Sequence, residues 1–194
     1  MRIGILTNDI SPGFGTPCAG VSIRAQCLFQ GLSAHDIDCQ ILIPRQLMIE
    51  RRNRWKNFFP RFSDSSNVRI FRARDWLRIR NEYDHIILCN WGSSNYIDVK
   101  HLASGGLIYD FFSPSMVEFT TGFGMEEQLA TALEVKKKLV ASASLRIANG
   151  KLIAKYASDW MAKTRIDGGE TVFPVTCGLE WTGDEAKKPI FLVG

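Results

Sequence analysis

The first 32 residues constrain the fold of this chain more than any other stretch. The apolar run at residues 3–6 is typical of a short, buried parallel strand. Glycines and prolines then interrupt residues 8–20, so no regular element can run through this segment. From Val21 to Leu32 apolar residues recur at helical spacing. The stretch therefore predicts a strand, a glycine-rich loop and a helix.

The glycine-rich loop allows two interpretations. A loop that leads into a helix leaves backbone N–H groups free to bind an anion, but it can also be a plain connection. Gly13 and Gly15 are followed by Cys18, which breaks the dinucleotide fingerprint, and no Gly-Lys-Ser/Thr ending for a P-loop exists. If an anion binds here, it therefore does so without either common nucleotide motif.

Strand and helix patterns alternate along the rest of the chain. This alternation predicts an α/β fold, namely a Rossmann-like, doubly wound and mostly parallel sheet with helices on both faces. The predicted strands after the first are residues 39–43, 68–71, 85–89, 107–109, 145–148 and 171–173. The main later helices are predicted at residues 125–141 and 151–162, and residues 136–138, three lysines, are interpreted as a solvated helix face.

Polar residues follow several predicted strands, and ligands of such sheets bind beyond the carboxyl ends of the strands. Asp110 ends a predicted strand, where its carboxylate could take a proton from an acceptor hydroxyl or cap the next turn. Trp91 could stack on a sugar or fill the core, with Asn90 hydrogen-bonding the same sugar. Asn149 is also a plausible helix N-cap.

The net charge of +4 is concentrated in one segment, because residues 45–62 hold six basic residues and one acidic residue. Aromatic residues interleave with these cations, as in segments that lie on anionic membranes. The alternative is a surface helix whose aromatic residues complete the core. A localised patch also argues against a nucleic-acid-coating protein. The predicted membrane patch consists of Arg51, Arg52, Arg54, Trp55, Lys56, Phe58 and Phe59.

Composition excludes several other classes. The chain has 194 residues, of which 45% are hydrophobic, as expected for one soluble domain without an apolar run of membrane-spanning length. Its five cysteines form no C-x-x-C motif, which favours free thiols in a reducing cytosol. The three histidines lack metal-ligand spacing, so no metal site is predicted.

Several stretches together resemble family 4 glycosyltransferases of the two-lobed GT-B type. Before its first helix this family has a Gly-Gly pair close to the donor diphosphate, and Ala19-Gly20-Val21 occupies that place with alanine for the first glycine. Residues 143–150, 173–179 and 190–194 resemble the late first lobe, the turn into the hinge and the first strand of the second lobe. The stretch from Asp110 to Glu118 resembles a bacterial surface-polysaccharide branch of the family.

The resemblance implies that residues 1–175 form the N-terminal, acceptor-binding lobe. Residues 176–194 would be the hinge and the first strand of a C-terminal lobe that is absent or supplied by a partner subunit. The implied activity is retaining, metal- and cofactor-independent transfer from a nucleotide sugar to a cell-surface glycan or glycolipid, with no nucleic acid as partner. The implied location is the cytoplasm, peripherally at the inner membrane face.

The implied site residues fall into three groups. The donor-phosphate loop comprises Gly15, Ala19, Gly20 and Val21. The acceptor-binding residues are Asp9, Asn90, Trp91, Glu118 and Asn149, and the catalytic residue is Asp110. If the loop approaches a phosphate through its backbone, Gly20→Val should abolish transfer without disturbing the fold.

A second interpretation is a non-catalytic Rossmann-like binding module that docks a partner protein. A reading frame beyond Gly194 that encodes a second α/β lobe would favour the enzyme, and its absence would favour the module. A phospho-receiver domain ranks third, because the central strand lacks the required acceptor aspartate.

Overall fold

The computed structural model describes residues 1–9, 20–54, 67–102, 105–113, 126–166 and 172–175. Within these ranges, the side chains of residues 51–54 and 126–128 are not described. The predicted linker and strand at residues 176–194 lie outside the described residues.

The described residues form seven strands at the centre of the molecule. They are β1 (Arg2–Leu6), β2 (Asp38–Pro44), β3 (Val68–Phe71), β4 (His85–Cys89), β5 (Leu107–Phe111), β6 (Leu145–Ala148) and β7 (Phe173–Pro174). They form one sheet in the order β3-β2-β1-β4-β5-β6-β7. Every pair is parallel, with Ile5 opposite Ile41 on one side and Ile87 on the other. The predicted fold class is therefore confirmed, with a sheet that is wholly rather than mostly parallel.

Helices cover both faces of the sheet. The α-helices are α1 (Gly20–Ser33), α2 (Arg45–Arg54), α3 (Trp76–Arg80), α4 (Glu126–Ser142) and α5 (Lys151–Thr164). Short 3-10 helices occupy Ala73–Asp75, Trp91–Tyr96 and Val99–His101. None of the helices in the described part of the chain is long and apolar enough to cross a membrane.

Alternation along the strands divides the core between the two faces. One face carries residues such as Leu6, Leu88 and Phe111, on which α3, α4 and α5 pack. Ile5, Ile87 and their neighbours point to the opposite face, where α1 covers them. Further along that face, α2 buries Leu47 and Met48 against β2 and β3. Because both faces are covered, the strands are apolar almost throughout, as parallel strands usually are.

The structure corrects three local predictions. Strand β5 extends to Phe111, so Asp110 lies within the strand and pairs in register with Cys89 and Ile147. The N-cap of α5 is Gly150 rather than Asn149, because the chain turns there with a φ of 89° that favours glycine. Lys136 is 1% exposed and therefore does not belong to a solvated face.

Candidate functional site

The strand order reverses between β1 and β4, since the chain first runs outward through β2 and β3 and then returns to β4. In open α/β sheets the crevice beside such a switch point, at the carboxyl ends of the strands, is where ligands bind. Residues 7–9 follow β1 there and residues 90–94 follow β4. The candidate site is therefore built on these two connections.

The two connections touch through Asn8 and Gly92. A Cβ at position 92 would lie 2.6 Å from Asn8 Nδ2, so any other residue there would have to displace the Asn8 amide. Asn8 Oδ1 is buried and accepts no hydrogen bond among the described residues. A buried acceptor of this kind gains free energy when a donor, such as a sugar hydroxyl, reaches it.

Asn90 adopts a strained backbone at the end of β4. Its φ of 74° and ψ of 148° are unusual for a residue with a side chain, and its side chain makes no capping bond. The following turn is held by two hydroxyls, because Ser93 Oγ donates to the Cys89 carbonyl at 2.8 Å and Ser94 Oγ to the Trp91 carbonyl at 2.6 Å. Strain held in this way is found at functional sites, which supports a ligand-binding role for Asn90.

Trp91 and Asp9 are less available than the sequence implied. Trp91 is half-buried and packs against the core face that α3 to α5 cover, as its alternative interpretation predicts. Asp9 is only 3% exposed, and its backbone N–H donates to Thr7 Oγ1 at 3.3 Å. Asn149 is exposed and directly follows β6. The acceptor-binding roles of these three residues remain predictions.

Asp110 is bound by a residue that sequence reasoning did not single out. Arg24, on α1, donates from Nε and Nη2 to the two carboxylate oxygens at 2.9 and 3.1 Å, and both side chains are fully buried. Arg24 Nη1 also donates to the Val175 carbonyl at 2.6 Å. The pair thus ties together α1, β5 and the segment after β7.

This ion pair favours a structural role for Asp110. Burial raises the pKa of the Asp110 carboxyl, while the hydrogen bonds from Arg24 oppose that rise. Both carboxylate oxygens accept hydrogen bonds from Arg24 and neither side chain is exposed, so a substrate hydroxyl could reach Asp110 only if the packing around the pair opened. The alternative prediction, that Asp110 caps the next turn, does not match these contacts, because its carboxylate bonds to Arg24. Catalysis by Asp110 remains a prediction.

The donor-phosphate loop is described only at its end. Gly20 is exposed at the start of α1, whereas Val21 is a buried core residue 6% exposed. A Cβ on Gly20 would lie 2.8 Å from Cζ of Phe112, which is too close. Valine at position 20 would have to displace the Phe112 ring, and the expectation that Gly20→Val abolishes transfer and leaves the fold undisturbed stays a prediction.

Several predicted residues lie outside what the structure describes. These are Gly15, Ala19 and Glu118 of the site, and Trp55, Lys56, Phe58 and Phe59 of the membrane patch. Arg51, Arg52 and Arg54 lie in α2, but their side chains are not described. Within the described ranges no group of three or more His, Cys, Asp or Glu side chains could hold a metal ion.

Lys136 is a second residue that the sequence interpretation missed. Its Nζ lies 4.6 Å from the centre of the Trp160 ring and 5.4 Å from that of Phe111. Among described residues this ammonium has no hydrogen-bond partner, and burial lowers its pKa to about 8. The sequence signal that could have identified Lys136 as buried is its helical spacing. It lies on the same face of α4 as the buried residues Ala132, Leu139 and Val140.

The fold is shared with solved glycosyltransferases. An alpha-glucosyltransferase in complex with UDP matches with a TM-score of 0.52 and 14% identity, over 92% of this chain and 44% of that chain. Anabaena Alr3699/HepE in complex with UDP-glucose matches with a TM-score of 0.50 and 17% identity, over 92% of this chain and 44% of that one. An alpha-glucosyltransferase in complex with UDP and a 13-mer DNA containing a HMU base matches with a TM-score of 0.51 and 12% identity, over 92% of this chain and 43% of that chain.

These matches show the fold and its extent. No family model matches the chain, and no curated protein matches it in sequence. The chain spans less than half the length of the solved glycosyltransferases that it resembles. It therefore has the Rossmann-like fold of one lobe of a GT-B glycosyltransferase.

Proposed function

We propose that this chain is the N-terminal, acceptor-binding lobe of a retaining glycosyltransferase. In this proposal the complete enzyme transfers a sugar from a nucleotide-sugar donor to a cell-surface glycan or glycolipid. The observation that carries the proposal is the match of almost the whole chain to less than half of proteins solved with UDP or UDP-glucose. Family 4, and its bacterial surface-polysaccharide branch, are the finer assignment that the sequence resemblance supports.

The donor lies in a cleft between this lobe and a second one. Backbone N–H groups around Gly20, together with the positive end of the α1 dipole, face the diphosphate and stabilise the charge that develops as it leaves. Uridine diphosphate sugars are the first donors to test, because UDP or UDP-glucose is bound in the neighbours. Amides and basic side chains stabilise the leaving group, in line with the metal-independent transfer that the sequence resemblance implies.

The acceptor lies at the carboxyl edge beside the switch point. Asn8 Oδ1 and the Asn90 amide offer hydrogen bonds to its hydroxyls, and Trp91 offers a half-buried aromatic ring. The turn after Asn90 holds Asn90 and Trp91 in place. Side chains fixed in this way can orient an acceptor hydroxyl toward the donor carbon. The basic segment that begins with α2 would bring the lobe to an anionic membrane that carries the acceptor.

The test is a transfer assay with the complete product of the gene that encodes this chain. Labelled UDP-sugars are offered with glycan and glycolipid acceptors, and Asn90→Gly is compared with the unmodified protein. Glycine accepts the φ of position 90 but removes the amide, so we expect kcat/KM for the acceptor to fall at least tenfold while donor KM is unchanged.

The matched control is Asn81→Ala. Asn81 is exposed and precedes β4, at the opposite edge of the sheet, so transfer by this variant should equal that of the unmodified protein. A complete gene product that releases no UDP from any UDP-sugar, with every acceptor present, would contradict the proposed function. Equal acceptor kinetics in Asn90→Gly would remove Asn90 from the site.

A further inference from the structure

A groove of about 830 Å³ lies beside the candidate site and has no assigned role. Its walls come from the first turns of α2, from the residues that follow β3 and from the end of the Trp91–Tyr96 helix. All three follow parallel strands, so the groove opens on the carboxyl edge of the sheet, where ligands of this architecture bind. Its volume is in the range of pockets that hold small organic ligands.

The acidic side chain of the groove is already engaged. Glu50 accepts a hydrogen bond from Tyr96 Oη at 2.8 Å on one carboxylate oxygen and from Gln46 Nε2 at 3.2 Å on the other. These bonds join α2 to the 3-10 helix across the groove. They also fix the Tyr96 ring in the wall, where a saccharide ring can pack against it.

The two cations of the groove, Arg45 and Arg72, are exposed and form no ion pair with a side chain that the structure describes. By contrast, two arginines near Glu82, ahead of β4 and toward the opposite edge of the sheet, are paired: Arg69 Nη2 donates to Glu82 at 3.1 Å, and Arg78 Nη1 lies 3.2 Å from the same carboxylate. The first turn of α2 contains no acidic residue, so its N–H groups add to the positive potential.

The groove is connected to the switch point by one element. The helix that ends at Tyr96 begins at Trp91, beside Asn90, and its six residues span about 12 Å at the rise of a 3-10 helix. A ligand with an anionic group between Arg45 and Arg72 can therefore extend along this helix to the candidate site. Guanidinium groups bind carboxylate and phosphate oxygens in the same bidentate way.

We infer that the groove lined by Arg45, Arg72 and Tyr96 binds the acidic part of the acceptor, which is a saccharide carrying a carboxylate or phosphate group. Arg45 and Arg72 bind that group, Tyr96 packs against a sugar ring, and the side chain amides of Gln46 and Asn95 face its hydroxyls. This inference rests on the proposed function and adds the charge class of the acceptor. It does not require the donor or the second lobe to be bound.

The test measures ligand binding to the chain itself. Glucuronate and glucose are each titrated into the protein, and the change in its chemical shifts gives the dissociation constant. We expect glucuronate to bind at least tenfold more tightly than glucose. The double substitution Arg45→Gln with Arg72→Gln should raise the dissociation constant for glucuronate at least tenfold and leave that for glucose unchanged. Thermal unfolding verifies that the variant is folded, as these exposed substitutions should allow.

The matched control is Arg74→Gln. Arg74 is exposed, forms no ion pair among the described residues and does not line the groove, but its removal changes the net charge in the same direction. Loss of glucuronate binding in this control as large as that in the double variant would mean that overall charge, not the groove, attracts the ligand. Equal binding of glucuronate and glucose would also overturn the inference.

A third probe, a single-stranded oligonucleotide, separates a nucleic-acid ligand from a saccharide. If the double variant loses oligonucleotide binding but keeps glucuronate binding, the groove is a nucleic-acid site and the inference is wrong. Transfer kinetics separate this inference from the proposed function. If the complete gene product transfers sugar and the double variant has the same acceptor KM as the unmodified protein, the inference alone is wrong. If the complete gene product transfers no sugar but the chain still binds glucuronate selectively, only the proposed transferase function is wrong.

Discussion

At the scale of single residues, Lys136 and the Arg24–Asp110 pair place charges inside the fold in opposite ways. The Arg24 guanidinium meets a carboxylate that takes both hydrogen bonds, so each charge is compensated. Among the side chains that the structure describes, the Lys136 ammonium meets the rings of Phe111 and Trp160, whose cation–π attraction returns a small part of its desolvation cost. Lys136 should therefore lower the stability of the fold at neutral pH.

Lys136→Met tests this expectation. Burial lowers the pKa of Lys136 from 10.5 to about 8, so between these values the unfolded chain holds a proton that the folded chain lacks. The contribution of Lys136 to the free energy of unfolding therefore rises with pH across this window. Below pH 8 this contribution is constant and at its lowest value. Methionine should remove the pH dependence and stabilise the fold at pH 7 by up to about 3 kcal/mol.

Urea unfolding between pH 7 and pH 10.5 measures both effects. Lys138→Met is the control, because Lys138 is exposed on the same helix and should change stability by less than about 0.5 kcal/mol. If Lys136→Met is no more stable than the unmodified chain at pH 7, the ammonium has a partner in the folded protein and the assignment is wrong.

At the scale of elements, α1 matters because it carries both the candidate phosphate loop and Arg24. Its first residue, Gly20, has a packing reason to be glycine that is independent of any phosphate. Gly20→Ala should destabilise the chain by about 1–3 kcal/mol, since the added methyl group overlaps the Phe112 ring. The double variant that combines Gly20→Ala with Phe112→Ala lacks the ring. It should therefore recover the part of the lost free energy of unfolding that comes from the overlap.

Gly31→Ala is the matched control within the same helix. A Cβ at position 31 meets nothing within 4 Å, so alanine should stabilise α1 by about 1 kcal/mol through its higher helix propensity. Thermal unfolding of the three variants gives the packing effect alone. In the complete gene product, a transfer defect of Gly20→Ala that persists when Phe112 is truncated would then indicate phosphate contact, and full rescue would exclude it.

The elements themselves could be predicted where apolar periodicity was strong. Strands β1, β3, β4 and β6 lie within a residue of their predicted bounds, because a buried parallel strand is marked by its own sequence. The side chains of the site could not be predicted in the same way. The partner of Asp110 is 86 residues away, and spacing along the chain gives no information on such a contact.

The same limit explains the errors at Lys136 and Gly150. Three consecutive lysines indicate a solvated face by composition, but the rotation of α4 against β5 decides which of them is buried. Asn149 is a better capping residue than Gly150 by preference. The positive φ needed to enter α5 overrides that preference. The groove between α2 and the Trp91–Tyr96 helix also depends on packing between distant segments.

At the scale of the whole molecule, the sheet is continuous from β3 to β7 and is covered on both faces by its own helices. One unit of this kind has the size and the core of an independently folding domain. A transfer site between two lobes, however, needs both walls to exclude water and to hold the donor. Folding and catalysis should therefore separate in this chain.

The last prediction is that residues 1–194 fold cooperatively but neither bind a donor tightly nor transfer sugar. We expect a single thermal transition, because one continuous sheet joins the apolar clusters that the helices bury on its two faces. Calorimetry with UDP-glucose should detect negligible binding, since in the proposed enzyme the amides at the start of α1 would form only one side of the diphosphate site. Acceptor saccharides should still bind weakly at the carboxyl edge, where Asn8, Asn90 and the groove belong to this lobe. Robust transfer by residues 1–194 without an added partner would contradict both this separation and the assignment of the chain as one lobe of the enzyme.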